Sequence, residues 1–105
     1  MTGDLDRAVG RLVNHVSHWT PPRWAASSAS GAGTRADAMY DLIQYLADLA
    51  ADAEGRPRRR VPRLDNVLAL PDQLRVMAAD LVAAAPDEAT LVAATARVTA
   101  LNTSI

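Results

Sequence analysis

The chain of 105 residues is long enough for one domain, is half hydrophobic, and carries a net charge of −1. It contains no Cys, which excludes disulfides, thiolate metal sites and thiol nucleophiles. No apolar run is long enough for a membrane span, and the N-terminus is too acidic for a signal peptide. These features predict a cytoplasmic protein of one domain, with no membrane association.

Helical periodicity dominates the chain and predicts an all-α fold. Apolar residues at intervals of three and four predict a first helix over 4–19 and a second over 34–54. Thr34 and Asp37 form a capping-box pattern at the start of the second helix, and Gly55 provides its C-terminal stop. Residues 20–33, rich in Pro, Gly and Ser, predict a long loop between these helices.

Two more helices are predicted over 71–85 and 86–102, after an Arg-rich linker at 55–64 and a short helical turn starting at Asp65. Pro71 and Pro86 suit first helical positions, each followed by an acidic residue in the first turn. Because the connection between these helices is so short, we expect a tight antiparallel hairpin. The predicted architecture is therefore a small four-helix bundle forming a single domain over 1–105.

The linker concentrates five of the eleven basic residues of the chain: Arg56, Arg58, Arg59, Arg60 and Arg63. The second helix carries the opposite charge on one face, where Asp37, Asp41, Asp48 and Asp52 recur at helical spacing. One interpretation is that the arginines neutralise these carboxylates, within the chain or across a dimer. Another is an extended arm that binds an anion, in particular the phosphates of a nucleic acid. The overall acidity and the absence of aromatic residues among the arginines argue against nucleic acid, and a plain solvated linker remains a third interpretation.

Both tryptophans flank a proline pair in the sequence HWTPPRW. They either anchor the loop in the core or form, with Arg23, an exposed patch that binds a partner through Trp19 and Trp24. The two histidines, His15 and His18, have a spacing that could place both on one metal ion. No matching carboxylate motif accompanies them, so surface or boundary roles are favoured, and no metal or cofactor is predicted.

No nucleophile with a neighbouring base and no phosphate-binding glycine loop is present, so no catalytic residues are assigned and the chain is not predicted to be an enzyme. The last two helices carry apolar residues outside their inner stripes, which favours self-association. The expected interface includes Val76, Ala83 and Val92. The sequence therefore predicts a protein-interaction or regulatory module, most simply a homodimer. The alternatives are a nucleic-acid accessory protein that uses the linker and, less favoured, a metal or small-ligand site between helices.

Overall fold

The computed structural model describes residues 2–105, which form an all-α fold with four long helices, as predicted. A short helix and a 3₁₀ turn complete it, and no strand occurs within the described residues. The elements are α1 (Thr2–Val16), α2 (Pro21–Trp24), α3 (Arg35–Glu54), a 3₁₀ turn (Val67–Ala69), α4 (Leu70–Ala83) and α5 (Glu88–Ser104).

The first helix ends earlier than its apolar stripe predicts. The backbone N–H of Trp19 donates to the carbonyl of Val16, which turns the chain and directs the indole into the core. The region predicted as a loop then contains α2, whose first turn holds Pro21 and Pro22. Proline is favourable there because the first N–H groups of a helix have no intrahelical acceptor.

The long helix α3 has the ends that its sequence predicts. The Thr34 hydroxyl accepts a hydrogen bond from the Asp37 backbone N–H, and the Asp37 carboxylate accepts one from the Thr34 N–H. At the other end Gly55 adopts a left-handed conformation, with φ of 68°, and terminates the helix. Gly33 also has a positive φ, and a Cβ there would lie 2.7 Å from the Asp37 carboxylate, so this capping box requires glycine before it.

The connection between α4 and α5 is a sharp turn rather than a continuation of either helix. Ala85 adopts a left-handed conformation, with φ of 51°, and stops α4 just before Pro86. Asp87 caps α5 by accepting a hydrogen bond from the Thr90 backbone N–H. Pro86 therefore precedes the cap instead of occupying the predicted first position of the helix.

The four long helices occupy the corners of a square bundle. The main contacts of α4 are with α3 and those of α5 are with α1, while smaller contacts join α1 to α4 and α3 to α5. The pairs α1 with α3 and α4 with α5 make at most marginal contact and are therefore diagonal. The predicted tight turn between the last two helices is confirmed, but these helices do not pack closely against each other as a hairpin would, because each packs on an earlier helix.

The 55–64 linker sets the direction of the second half of the chain. It returns from the end of α3 to its beginning, so that α3 and α4 run parallel, with Ala36 facing the Val67 region and Ala50 facing Met77. The bundle thus contains one long crossover connection. Helix α5 runs antiparallel to α3 and parallel to α1, since His15 near the end of α1 contacts Asn102 near the end of α5.

The core is one apolar cluster with contributions from every helix and from one linker residue. Its largest fully buried side chains are Trp24, Leu5, Leu12, Met39, Leu42, Ile43, Leu46, Leu74 and Leu81. Within the described residues, no polar or charged residue is fully buried. None of the described helices combines the length and the apolar character needed to cross a membrane.

Candidate functional site

The arginine linker lies along the acidic face of α3. Arg58 forms a bidentate contact with Asp52, with nitrogen to oxygen distances of 2.7 and 3.0 Å, and its guanidinium is 4.0 Å from Asp48. These hydrogen bonds lower the pKa of Asp52 below its ordinary value and raise the pKa of Arg58. All three side chains remain partly open to solvent, so the pairing orients the linker more than it stabilises the fold.

The backbone of the linker is fixed by two polar residues of α3. The Gln44 carbonyl accepts from the Val61 N–H at 2.8 Å, and its amide nitrogen donates to the carbonyl of Arg59 at 3.0 Å. The Tyr40 hydroxyl donates to the Val61 carbonyl in a buried hydrogen bond. The Val61 side chain is only 6% exposed and belongs to the core. The middle of the linker is thus anchored by both its backbone and an apolar side chain.

The linker is also held near the start of α3, where Arg63 pairs with Asp37 and stacks over the Tyr40 ring. Asp37 therefore caps α3 and binds the linker at the same time. Hydrogen bonds from Thr34 and Arg63 hold the pKa of its carboxyl below the ordinary value of 3.8.

The predicted anion-binding residues consequently fall into two groups. Arg58 and Arg63 pair with carboxylates of α3, and Arg56 pairs with Glu54 at 3.1 Å. The expected neutralisation of the arginines by acidic groups of the same chain is confirmed for these three. Arg59 and Arg60 are exposed and form no ion pair with any described residue. The binding of an external anion or a nucleic acid remains a prediction.

The two tryptophans are core residues. Trp19 is 5% exposed and Trp24 is 1% exposed, and their rings meet edge to face with centroids 4.8 Å apart. The interpretation of Trp19, Arg23 and Trp24 as an exposed patch is therefore wrong for the two tryptophans, because both indoles face inward. Arg23 lies on the surface with its guanidinium 4.8 Å from the Trp19 ring centroid, so it covers the cluster from the solvent side. Burial agrees with the alternative that these rings anchor the loop.

The two histidines have different environments. His15 Nδ1 is 2.6 Å from the amide oxygen of Asn102, and its ring meets Trp19 edge to face. His18 is exposed in the turn after α1. Across residues 2–105, no three His, Cys, Asp or Glu side chains lie together in a way that could hold a metal ion.

The predicted oligomer residues are all exposed, but they lie on two different corners of the bundle. Val76 is 53% exposed and Ala83 is also exposed, both on α4, whereas Val92 is 58% exposed on α5. Since α4 and α5 are diagonal, these residues do not form one continuous surface. Two separate surfaces are available for contact with a partner.

A cleft of about 420 Å³ lies between the first half of α3 and the second half of α5, beside the loop at 28–30. Its apolar floor includes Leu42 and Leu101, and its polar walls include Arg35, Asp41 and Arg97. Sequence analysis did not find this site, because Arg35 and Arg97 come from helices far apart in the chain. The one sequence signal was Arg97, which is the single charged residue of α5 after its first turn.

Comparison of the chain with protein-family models, with curated proteins and with solved structures finds no match.

Proposed function

We propose that the protein is a protein-interaction module that self-associates through the outer face of α5. This face consists of Ala89, Val92, Ala93, Ala96 and Ala100, all of them exposed. The observation that carries the proposal is that α5 has apolar residues on every side, yet packs on other helices along one side only. Helices that are apolar all round are normally covered, because exposed apolar area is unfavourable in water.

A second copy of the chain is the partner that best fits this face. A twofold interface brings the same surface of two copies together, so a charged side chain near the axis would face the same charge on the other copy. The outer face of α5 contains no charged residue, and the alternating spacing of its alanines allows two helix backbones to approach closely. Arg97 points away from it, with its guanidinium 4.5 Å from the Tyr45 ring centroid on α3.

The expected association is weak because the face is narrow. A helix of 17 residues is about 25 Å long and about 10 Å wide, which is less area than a standard interface of roughly 800 Å² per partner. We therefore expect a monomer–dimer equilibrium in the micromolar range instead of an obligate dimer.

Sedimentation equilibrium over a range of concentrations tests the proposal directly. Ala96→Arg should give a monomer with unchanged thermal stability, since the new charges would face each other across the twofold axis. Ala79→Arg is the matched control, because Ala79 is also exposed but lies on α4. A wild-type protein that stays monomeric at high micromolar concentration would contradict self-association. Loss of the dimer in Ala79→Arg and Val76→Arg, but not in Ala96→Arg, would move the interface to α4.

The second candidate function is nucleic-acid binding through the linker, and the observation in its favour is the pair Arg59 and Arg60. Both guanidiniums are exposed and have no carboxylate partner among the described residues. The interaction module is favoured because the neighbouring arginines are already engaged by α3, whose carboxylates also repel phosphates. Duplex DNA titrated into the protein at low salt separates the two candidates. Binding that decreases steeply with salt and is lost in Arg59→Gln/Arg60→Gln would support the second.

A non-enzymatic role in the cytoplasm is part of the same proposal. It is supported by the absence of Cys and of any nucleophile with a neighbouring base in the sequence. No cofactor is assigned.

A further inference from the structure

We infer that the cleft between α3 and α5 is a binding site for a small molecule that carries one carboxylate on an apolar body. The cleft volume, about 420 Å³, lies within the range typical of small-molecule sites. Such sites are mostly apolar, with a few polar groups, and this cleft is lined by apolar side chains together with two arginines.

Both guanidiniums are held in place by aromatic rings. Arg35 lies 5.1 Å from the Trp19 ring centroid, and Arg97 lies 4.5 Å from that of Tyr45. Stacking occupies the flat face of a guanidinium and leaves the N–H groups at its edge free to donate. Neither arginine forms an ion pair with any described residue, in contrast to Arg58 and Arg63 of the linker. Within residues 2–105, the one hydrogen bond that either guanidinium forms is long, at 3.4 Å, from Arg35 to the carbonyl of Arg23.

The charge of the cleft selects a monoanion. Asp41 shares the wall with the two arginines, so the side chains that line the cleft carry one net positive charge. A single carboxylate matches that charge and accepts two parallel hydrogen bonds from a guanidinium. A doubly charged phosphate would match it less well and would be repelled by Asp41.

The apolar floor selects the rest of the ligand. Leu42, which is 2% exposed, lies at the bottom of the cleft, and the half-buried Leu101 and Ile105 supply its accessible apolar surface. An unbranched hydrocarbon chain placed there would bury apolar area on both sides. The ligand class is therefore an aliphatic or aromatic monocarboxylate, with its charged group between Arg35 and Arg97.

Titration of octanoate into ¹⁵N-labelled protein, followed by two-dimensional NMR, tests this inference. We expect a dissociation constant of about 1 mM or tighter, with shifts concentrated at residues 28–42 and 97–105. Octyltrimethylammonium, which has the same chain and the opposite charge, should bind at least tenfold more weakly. Inorganic phosphate, which is anionic but has no hydrocarbon chain, should also bind at least tenfold more weakly than octanoate.

Variants assign the binding to the two guanidiniums. Arg35→Gln and Arg97→Gln should each weaken octanoate binding by about tenfold, as expected when a charge-assisted hydrogen bond is lost. Arg75→Gln, an exposed arginine on α4, is the matched control and should leave binding unchanged. Asp41→Asn should tighten binding, because it removes the competing carboxylate.

Four outcomes would overturn the inference. They are no octanoate binding at 10 mM or below, equal binding of the cationic amphiphile, equal binding of phosphate alone, and octanoate shifts that persist in both arginine variants. Circular dichroism of each variant shows whether the fold is retained, and Asp41→Asn provides a change in the opposite direction that loss of folding cannot imitate.

Discussion

The acidic face of α3 and the outer face of α5 differ in whether another part of the chain covers them. The α3 face is charged, and the linker covers it with arginines, backbone hydrogen bonds and the buried Val61. The α5 face is uncharged, and nothing in the described chain covers it. The difference teaches that a connecting segment of the chain can cover a charged surface, whereas the uncharged apolar surface of α5 stays open to solvent.

The largest expected effect is the loss of stability when a buried apolar side chain is truncated, compared with one on the α5 face. Trp24→Ala should lower the free energy of unfolding by about 3–5 kcal/mol, because the ring is buried and its removal leaves a cavity. Val92→Ala, on the α5 face, should change it by less than about 0.5 kcal/mol in the dilute monomer. Urea denaturation of both variants measures the difference. Equal effects would mean that the α5 face is already covered within one chain.

The next effect tests whether backbone hydrogen bonds fix the linker. Gln44→Ala removes the acceptor of the Val61 N–H and the donor to the Arg59 carbonyl, so it should cost about 1–3 kcal/mol. Gln44→Glu keeps an acceptor for Val61 and should cost less at low pH, where the new carboxyl is neutral. Hydrogen exchange of the Val61 amide should accelerate in the Ala variant. Unchanged exchange would show that Val61 is protected by burial alone.

A smaller effect is expected for the ion pairs of the linker. Arg58→Gln should destabilise the protein slightly in low salt and not measurably in high salt, because both partners are exposed. Arg59→Gln, one residue away and without an ion pair, is the matched control and should have no effect in either condition. Thermal denaturation at two salt concentrations gives the comparison. A large effect of Arg58→Gln in high salt would show that the pair has a structural role that solvent does not screen.

The smallest effect is the dependence of linker attachment on pH. Folding lowers the pKa of Asp37, so its ionised form stabilises the fold. This contribution is complete above about pH 4, the ordinary pKa of an aspartate, and is lost as the pH falls through the lower value in the folded protein. A ¹³C NMR titration should show the depressed pKa in the wild type and a partial return towards the ordinary value in Arg63→Gln. An unchanged pKa in that variant would assign the whole shift to Thr34.

The ends of the helices could be predicted from sequence because their causes are local. The Thr34 and Asp37 capping box and the stop at Gly55 depend on residues that are neighbours in the chain. The end of α1 was placed three residues late, since Trp19 continues the apolar stripe although it enters the core from a turn. The periodicity of apolar residues therefore predicts which side chains are buried more reliably than it predicts where the helix ends.

The pairing of the helices could not be predicted in the same way. Helix α5 has no single apolar face, so its sequence does not indicate which neighbour it packs against. The burial of Val61 was also missed, because its arginine and proline neighbours suggest a solvated segment. Two features of the sequence could have indicated this burial. Val61 is the one apolar residue among the arginines and prolines of residues 56–63, and Gln44 interrupts the acidic face of α3 with a side chain that can bond to backbone. The cleft could not be predicted from local sequence patterns either, because it exists only where α3 and α5 come together in the fold.

The square arrangement of the helices has a consequence for how the protein folds. All four packed pairs of long helices join a helix before the linker, α1 or α3, to a helix after it, α4 or α5. Neither half of the chain contains a substantial helix pair of its own, so neither can form a stable intermediate by itself. Folding should therefore be a single cooperative transition, and two fragments divided within the linker should each be unstructured until they are mixed.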